Sequence, residues 1–279
     1  MNNTLFQLSG MVTAMFNLMV ADLYKLRKSL GYKILLAITS ICAIAVAVFA
    51  YAVQQGQLAG DMAGIGFMFS DVNVISILGA VLASIFICGD FDNKTVHGAI
   101  SAGISRSSIV FSKAVVYGIA AACLLLPYII VTAVALSTPQ QFNMGSVAVG
   151  FLNILTSHSS MDFTAADIGK LVLVMLATLM TYIAQLSICI PLAFVLRKPV
   201  LIVAIYYGFT IVAAQFSSWR GNSLAFDRIY GLTPFGGDHV FLTVADGVGK
   251  IFQTYAVSIV FIAIMLAISY SLFRKAEIK

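Results

Sequence analysis

Six long apolar runs, none of which contains a charged residue, constrain this chain more than any other feature of its sequence. They extend over residues 34–53, 72–88, 115–136, 171–196, 200–216 and 251–273. A helix of about 20 apolar residues crosses the roughly 30 Å hydrocarbon core of a bilayer. The runs therefore predict an all-α membrane protein with six transmembrane helices.

The composition excludes the main alternatives to a helical membrane protein. Of 279 residues, 61% are hydrophobic and 10% are charged, whereas a soluble domain is about 25% charged. A membrane barrel would show strands in which apolar and polar residues alternate, and no such alternation extends beyond a few positions. The chain is expected to insert through its own helices, because its first residues lack the pattern of a secretory signal.

The basic residues are distributed unevenly between the two sets of connecting segments. Twelve of the sixteen lysines and arginines lie before the first run, between the second and third, between the fourth and fifth, or after the last. The other segments hold Lys170, Arg220, Arg228, Lys250 and seven aspartates, Asp61, Asp71, Asp162, Asp167, Asp227, Asp238 and Asp246. The positive-inside rule then predicts that both termini are cytoplasmic. The net charge of +5 indicates contact with anionic membrane lipid and implies no nucleic acid partner.

Residues 8–30 combine apolar side chains with polar and basic ones, and too few apolar residues are consecutive to span a bilayer. This pattern is typical of an amphipathic helix that lies in the membrane interface. We therefore expect residues 1–33 to form an N-terminal interfacial helix and residues 34–279 to form the six-helix domain. The N-terminal helix can be a simple anchor or a moving part, and the sequence leaves both open.

The longest cytoplasmic connection covers residues 89–114. Asp92 or Asn93 can cap a short helix, and Val96 and Ile100, four residues apart, would share one face of it. Gly103 is a natural helix stop, and Ser105 offers a cap for the next helix. Such an element can dock on a soluble partner, or it can be an ordinary solvated turn. The residues alone favour neither interpretation.

The run FDNKTVHGAISAGISRSSIVFSKAVV resembles the loop after the second transmembrane helix of ABC-2 type permeases, the membrane subunits of ATP-driven exporters. The matching positions are Asp92, Thr95, Gly103, Ser105, Arg106 and Lys113. The six runs, the N-terminal helix and the predicted cytoplasmic termini extend the resemblance over the whole chain. Within the family, the chain resembles small bacterial permeases that export peptides such as bacteriocins, lantibiotics and cytolytic peptides, or that provide immunity against them.

The resemblance implies a bacterial cytoplasmic membrane protein that works with partners. The sequence contains no GxxxxGK[ST] loop that could hold ATP, so a separate ATPase subunit would bind and hydrolyse it. A second copy or a related permease would complete the pathway. We expect no catalytic residue and no cofactor. The residues expected to couple to the ATPase are Asp92, Asn93, Thr95, Val96, Ile100, Arg106 and Lys113.

Residues 217–250 are too polar to span a membrane and too apolar to be freely solvated. They predict short interfacial or re-entrant helices on the extracytoplasmic side. Four aromatic residues there are candidates for an extracytoplasmic gate: Trp219, Phe226, Tyr230 and Phe235. An aromatic belt that anchors the bundle would use the same residues. Thr164 and Asp167 fit a capping box at the start of the fourth span.

Other functions compete with an exporter. A secondary carrier of a neutral solute remains open, although the predicted runs contain no ionisable group for binding a driving ion. A membrane enzyme is disfavoured, because no HExxH or comparable cluster occurs, the cysteines and histidines are dispersed, and Asp90 and Asp92 resemble helix caps. An immunity role, in which toxic peptides are removed from the membrane, would use the same machinery. The apolar conduit favours an amphipathic or hydrophobic cargo.

Overall fold

A computed structural model of the protein describes residues 2–58, 63–145, 148–158 and 164–275. Within these ranges the fold is entirely helical and contains no strand. The predicted extracytoplasmic residues Asp61 and Asp162 and the predicted cytoplasmic residue Lys279 lie outside the described residues. The all-α class predicted from the apolar runs is confirmed for the described part of the chain.

The helices follow one another with short connections. In chain order they are α1 (Asn2–Lys28), α2 (Leu30–Gln54), α3 (Ala63–Met68), α4 (Asp71–Ala83), α5 (Gly89–Asp92), α6 (Thr95–Ser101), α7 (Arg106–Leu136), α8 (Phe151–His158), α9 (Ala165–Leu186), α10 (Cys189–Leu196), α11 (Pro199–Phe216), α12 (Leu224–Gly231), α13 (Gly237–Val240) and α14 (Val248–Lys275). A π-helical turn (Ser84–Cys88) joins α4 to α5, and a 3-10 turn (Ser217–Trp219) follows α11.

Six helical stretches are long and apolar enough to cross a membrane. They are Leu30–Gln54, Gly64–Asp92, Arg106–Leu136, Ala165–Leu196, Pro199–Phe216 and Val248–Lys275. Each contains one of the six predicted runs, which identifies a multi-pass membrane protein. The helices extend beyond the apolar runs: the third begins at Arg106 rather than Val115, and it continues through Pro127.

The chain path gives the bundle two ends with different charge. We call the end that contains residues 22–33, 89–113, 197–199 and 273–275 the basic end. The acidic end contains the described residues of 54–71, 137–170 and 217–250. Which end faces the cytoplasm stays a prediction from the charge distribution.

Helix α7 packs against many of the other helices. It contacts α1, α2, α4, α8, α9 and α14. Two buried tyrosines fix its neighbours: the Tyr117 hydroxyl donates to the Gly79 carbonyl at 3.0 Å, and the Tyr32 hydroxyl donates to the Ala120 carbonyl at 3.1 Å. Such bonds hold packed helices in register where the bilayer offers no competing water.

The connections at the acidic end are more structured than the sequence indicates. Residues 138–170 read as mostly polar, yet α8 lies within them and buries Phe151, Ile154 and Leu155. The predicted capping box is confirmed: the amide of Asp167 donates to the Thr164 hydroxyl, and the Thr164 amide donates to the Asp167 carboxylate at 3.1 Å. Two short helices, α12 and α13, lie within residues 217–250, and their predicted interfacial or re-entrant placement on the extracytoplasmic side stays a prediction.

Candidate functional site

The connection between α5 and α7 forms the predicted short helix at the basic end. Helix α6 begins after Lys94, whose φ of 54° is left-handed, and no side chain caps it. The predicted cap at Asp92 or Asn93 is therefore wrong. Gly103 has a φ of +83°, which suits a glycine and ends the helix as predicted. Ser105 caps α7 by accepting a hydrogen bond from the Ser108 amide at 3.2 Å.

Four charged side chains from three helices meet beneath α6, and we call them the ion cluster: Asp22 and Lys25 of α1, Asp90 of α5 and Lys113 of α7. Lys113 donates to Asp90 and, at 2.8 Å, to Asp22. Lys25 donates to the second oxygen of Asp90. The cluster contains equal numbers of acidic and basic groups.

The ion cluster is largely removed from solvent. Asp90 is 1% exposed, Lys113 is 3% exposed and Asp22 is 6% exposed. Burial raises the pKa of Asp22 above its usual range, although Lys113 acts in the opposite direction. Buried charges persist in folded proteins when they are paired and hydrogen-bonded. The pairing therefore ties α1, α5 and α7 together at one point.

The ion cluster is also joined to α6. The Thr95 hydroxyl lies 3.1 Å from a carboxylate oxygen of Asp90 and 3.2 Å from the Asp90 carbonyl oxygen. Thr95 is the first residue of α6. The short helix is thus linked through Thr95 and Asp90 to both α1 and α7.

Three phenylalanine side chains next to Asp90 extend this connection to the end of α14. Phe91, Phe194 and Phe273 pack together, with ring centroids 4.9 to 6.2 Å apart. The guanidinium of Arg197 lies 4.8 Å from the Phe91 ring, and that of Arg106 lies 5.6 Å from the Phe273 ring. Cations above aromatic rings are attracted by the ring quadrupole.

Arg106 also binds the last turn of α14. Its guanidinium donates to the carbonyls of Phe273 and Arg274 at 2.9 and 2.8 Å. Carbonyls in the last turn of a helix have no partner within that helix, so Arg106 satisfies groups that would otherwise need water. The predicted coupling residue Arg106 therefore connects the start of α7 to the end of α14.

The two predicted docking residues on α6 both face the bundle, so they do not form an exposed docking face. Val96 is 3% exposed, and Ile100 is half-buried against the core. The face of α6 that points away from the bundle contains Gly98 and Ser101, and the exposed Lys94 directly precedes the helix. A partner would meet that face first. A coupling role for the segment stays a prediction, and Asp92, Asn93 and Thr95 are exposed there.

Sequence reasoning missed Asp22 and interpreted Asp90 as a cap. The structure corrects the second point, since Asp90 is buried in the ion cluster while Asp92 is exposed. One signal for Asp22 was available. It lies four residues from both Leu18 and Leu26, within the apolar stripe of α1, and a charge inside such a stripe needs a buried partner.

Three of the four predicted gate residues surround one apolar cavity at the acidic end. Phe226, Tyr230 and Phe235 line this cavity of about 240 Å³. The Phe226 ring stacks on the Tyr230 ring, with centroids 5.6 Å apart, and its centroid lies 6.4 Å from that of Trp219. The Tyr230 hydroxyl donates to the Ala213 carbonyl at 3.0 Å, which fastens α12 to α11. The structure thus brings the four residues together, and their role as a gate stays a prediction.

A second cavity of about 160 Å³ borders the first and shares Tyr230 and Phe235 with it. Its wall is mostly apolar but includes Ser76, Gln185 and Thr210. The Gln185 amide donates to the Pro234 carbonyl at 2.8 Å. The two cavities are typical of a site for an apolar ligand with a few polar contacts.

Asp71 is a buried carboxyl group that the sequence did not indicate. It is 1% exposed at the start of α4, where it accepts hydrogen bonds from the Tyr182 hydroxyl at 2.6 Å and the Phe151 amide at 2.7 Å. The predicted runs contain no charged residue, but the membrane-spanning helices of the structure are longer than the runs and do contain charged residues. The helices extend past the apolar runs, so Asp71, Asp90 and Lys113 lie at the ends of the spans and are buried by tertiary packing.

No cluster of three or more histidine, cysteine, aspartate or glutamate side chains that could hold a metal ion occurs among the described residues. A comparison with known proteins finds no family model and no curated protein that matches the chain. The assignment to ABC-2 type permeases accordingly stays a prediction from the local sequence resemblance.

Proposed function

We propose that the protein is the membrane subunit of an ATP-driven exporter, which couples ATP hydrolysis by a separate ATPase subunit to the movement of an amphipathic or hydrophobic cargo, such as a peptide. The protein would act in the bacterial cytoplasmic membrane as a pair, with a second copy or a related permease. An immunity transporter that removes peptides from the membrane would use the same machinery.

One observation carries this proposal. Helix α6 presents an outward face at the basic end, and its first residue is hydrogen-bonded to a buried ion cluster that joins three helices. A solvated turn has no need of this attachment. A force applied to α6 would reach α1, α5 and α7 together, because Thr95, Asp90 and Lys113 form one connected set of contacts.

The proposed mechanism is mechanical. Closure of the ATPase dimer on ATP would press on Lys94 and on the face of α6 that contains Gly98 and Ser101. The ion cluster and the Arg106 contact with α14 would pass the displacement to the spans. The aromatic side chains around the cavities of the acidic end would then separate and release the cargo. Such motion requires elements with two discrete arrangements, as is usual in transport cycles.

The first experiment is co-purification of the protein with the ATPase encoded beside it, in mild detergent, with ATP hydrolysis as the second readout. The variant is Gly98→Arg, because a Cβ at Gly98 meets no atom within 4 Å. The arginine would therefore project from the α6 face without disturbing the chain, and glycine replacement favours a helix by about 1 kcal/mol. We expect Gly98→Arg to lower recovery of the ATPase at least about tenfold, the change that 1.4 kcal/mol produces.

Gly169→Arg is the matched control. Gly169 is an exposed helical glycine of α9 at the acidic end, and a Cβ there also meets nothing within 4 Å. The control should retain the ATPase. Equal recovery with Gly98→Arg and Gly169→Arg would show that α6 is not the docking element, and absence of any ATPase from the wild-type preparation would refute the exporter proposal.

A secondary carrier is the second candidate, and Asp71 favours it. Ion-coupled carriers hold ionisable groups within the membrane region, and Asp71 has no basic partner in the described part of the chain. Proteoliposomes that contain this chain alone would dissipate an imposed proton or sodium gradient, and Asp71→Asn would slow that flux. A flux equal to that of empty liposomes would remove the carrier from consideration.

A further inference from the structure

Helix α12 at the acidic end separates two cavities of opposite character. Phe226 and Tyr230, four residues apart on one face, line the apolar cavity of about 240 Å³. Asp227 and Arg228, on the other side, line a polar cavity of about 460 Å³. A helix surface with one apolar and one charged side is suited to a ligand with the same division.

The polar cavity contains charges that the fold does not use. Of the ionic groups in its wall, Asp238 is paired with Arg220 at 2.8 Å, and Lys250 is paired with Asp246 at 2.8 Å. Arg228 is exposed, and within the described residues no ion pair or hydrogen bond engages its guanidinium.

The neighbouring acid is also outside any ion pair. The two oxygens of the Asp227 carboxylate accept a hydrogen bond from the Gly221 amide, at 3.1 and 3.2 Å. No cation pairs with this carboxylate among the described residues. The cavity thus offers one guanidinium and one carboxylate side by side. A guanidinium is the usual partner of a phosphate, and a carboxylate is the usual partner of an ammonium group.

The apolar side of α12 is incompletely covered. Ile229 lines the apolar cavity and is 68% exposed. Apolar side chains this exposed on a short helix mark a contact with an apolar ligand or with acyl chains. The cavity wall beyond Ile229 is aromatic, with Phe209, Phe235 and Phe261.

We propose that α12 binds a zwitterionic phospholipid. The phosphate contacts Arg228, the ammonium group contacts Asp227, and an acyl chain enters the apolar cavity beside Ile229. A phospholipid is favoured over other amphiphiles because only a 3-10 turn and a short connection separate α12 from the end of the membrane-spanning helix Pro199–Phe216, and lipid headgroups lie at the ends of such helices. This site shares its aromatic wall with the proposed cargo route, but lipid binding can be measured without ATPase or cargo, so the two proposals can fail separately.

The test uses the full-length chain, delipidated in detergent. Binding of phosphatidylethanolamine is measured by native mass spectrometry and by the shift in melting temperature. Phosphatidylglycerol has the phosphate but lacks the ammonium group, and glycerophosphoethanolamine lacks the acyl chains, so both should bind at least about tenfold more weakly. Arg228→Gln should weaken phosphatidylethanolamine about tenfold, as loss of one charge-assisted hydrogen bond does.

Matched variants separate the site from general effects. Lys170→Gln removes the same charge at the same end of the bundle but lies outside the polar cavity, and it should bind lipid normally. Ile229→Ser should weaken lipid binding about fivefold, as loss of part of an apolar contact does, whereas Leu224→Ser should not. Leu224 is 82% exposed on the same helix and lines neither cavity.

Several results would overturn the proposal. Equal binding of phosphatidylglycerol would refute the role of Asp227, and equal binding of glycerophosphoethanolamine would refute the acyl-chain site. Unchanged binding in Arg228→Gln would refute the headgroup site. Displacement of the lipid by an amphipathic peptide at equal concentration would assign α12 to peptide recognition instead.

Discussion

Two aspartates lie near opposite ends of the same membrane-spanning helical stretch, Gly64–Asp92, and the protein holds them in different ways. Asp71 and Asp90 are both 1% exposed. Asp90 is paired with Lys25 and Lys113 at the basic end. Asp71, at the acidic end, accepts hydrogen bonds from the neutral Tyr182 hydroxyl and the Phe151 amide. Asp90 at the basic end is thus stabilised by opposite charges, whereas Asp71 at the acidic end is stabilised by neutral hydrogen-bond donors.

The difference shows what each carboxylate organises. At the basic end, long-range ion pairs join three helices and anchor the short helix α6. At the acidic end, Asp71 accepts the first amide of α8 and so positions a short helix over the bundle. Because a buried ion pair is costly to break, the basic end should move as a unit, whereas the acidic end can rearrange one hydrogen bond at a time.

The variant with the largest expected effect on this comparison is Lys113→Met. The change leaves Asp22 and Asp90 buried with only the half-exposed Lys25 to compensate them, and removal of one partner from a buried ion pair costs about 3–5 kcal/mol. Thermal unfolding in detergent should show a correspondingly large drop in melting temperature. Lys198→Met is the control, because Lys198 is exposed at the same end. A loss below about 1 kcal/mol, the range of surface ion pairs, would show that the cluster does not hold the helices.

Gly150→Ala tests the hydrogen bonds of Asp71 at the acidic end. Gly150 has a φ of +62°, and a Cβ there would lie 2.0 Å from the Tyr182 hydroxyl and 2.2 Å from the Asp71 carboxylate. We expect a loss of about 3 kcal/mol, from the left-handed conformation and from disruption of the Asp71 contacts. Gly145→Ala is the matched control, with a φ of +60° and nothing within 4 Å, and it should cost only about 1 kcal/mol. Equal losses in both variants would mean that the contacts around Asp71 add nothing.

The smallest effect is a difference in pH dependence between the ends. Burial lowers the pKa of His158 at the acidic end from its usual value of 6.5, and its Nε2 accepts the Val244 amide at 2.8 Å. The unfolded chain then binds the proton more tightly, so stability falls as the pH decreases below 6.5. Burial raises the pKa of Asp22 above 3.8, so its contribution to stability increases as the pH decreases through that raised pKa.

Melting temperatures of the wild type, His158→Gln and Asp22→Asn across this pH range would separate the two contributions. The melting temperature of His158→Gln should fall less on acidification than that of the wild type. Asp22→Asn lacks the stability that the wild type gains when Asp22 is protonated, so its melting temperature should fall more steeply on acidification. The same slope in all three proteins would contradict the assignment of either group.

The sequence by itself determined the features that depend on neighbouring residues. Apolar length predicted the six spans, because desolvated backbone must bond within its own helix. The Ser105 cap, the Gly103 stop and the Thr164–Asp167 capping box followed from residues a few positions apart. The aromatic residues within 217–250 were predicted to form a gate or a belt, and the cavities that Phe226, Tyr230 and Phe235 line were not predicted.

Only the tertiary structure decided which charges are buried. Asp22 and Lys113 are 91 residues apart, and Asp90 and Lys113 are 23 apart, so no local pattern links them. A run defined by the absence of charge ends before the nearest charged residue, which excluded Asp71, Asp90 and Lys113 from the predicted spans. Their charges are tolerated only because packing of α1, α5, α7, α8 and α9 supplies the partners that water would otherwise provide.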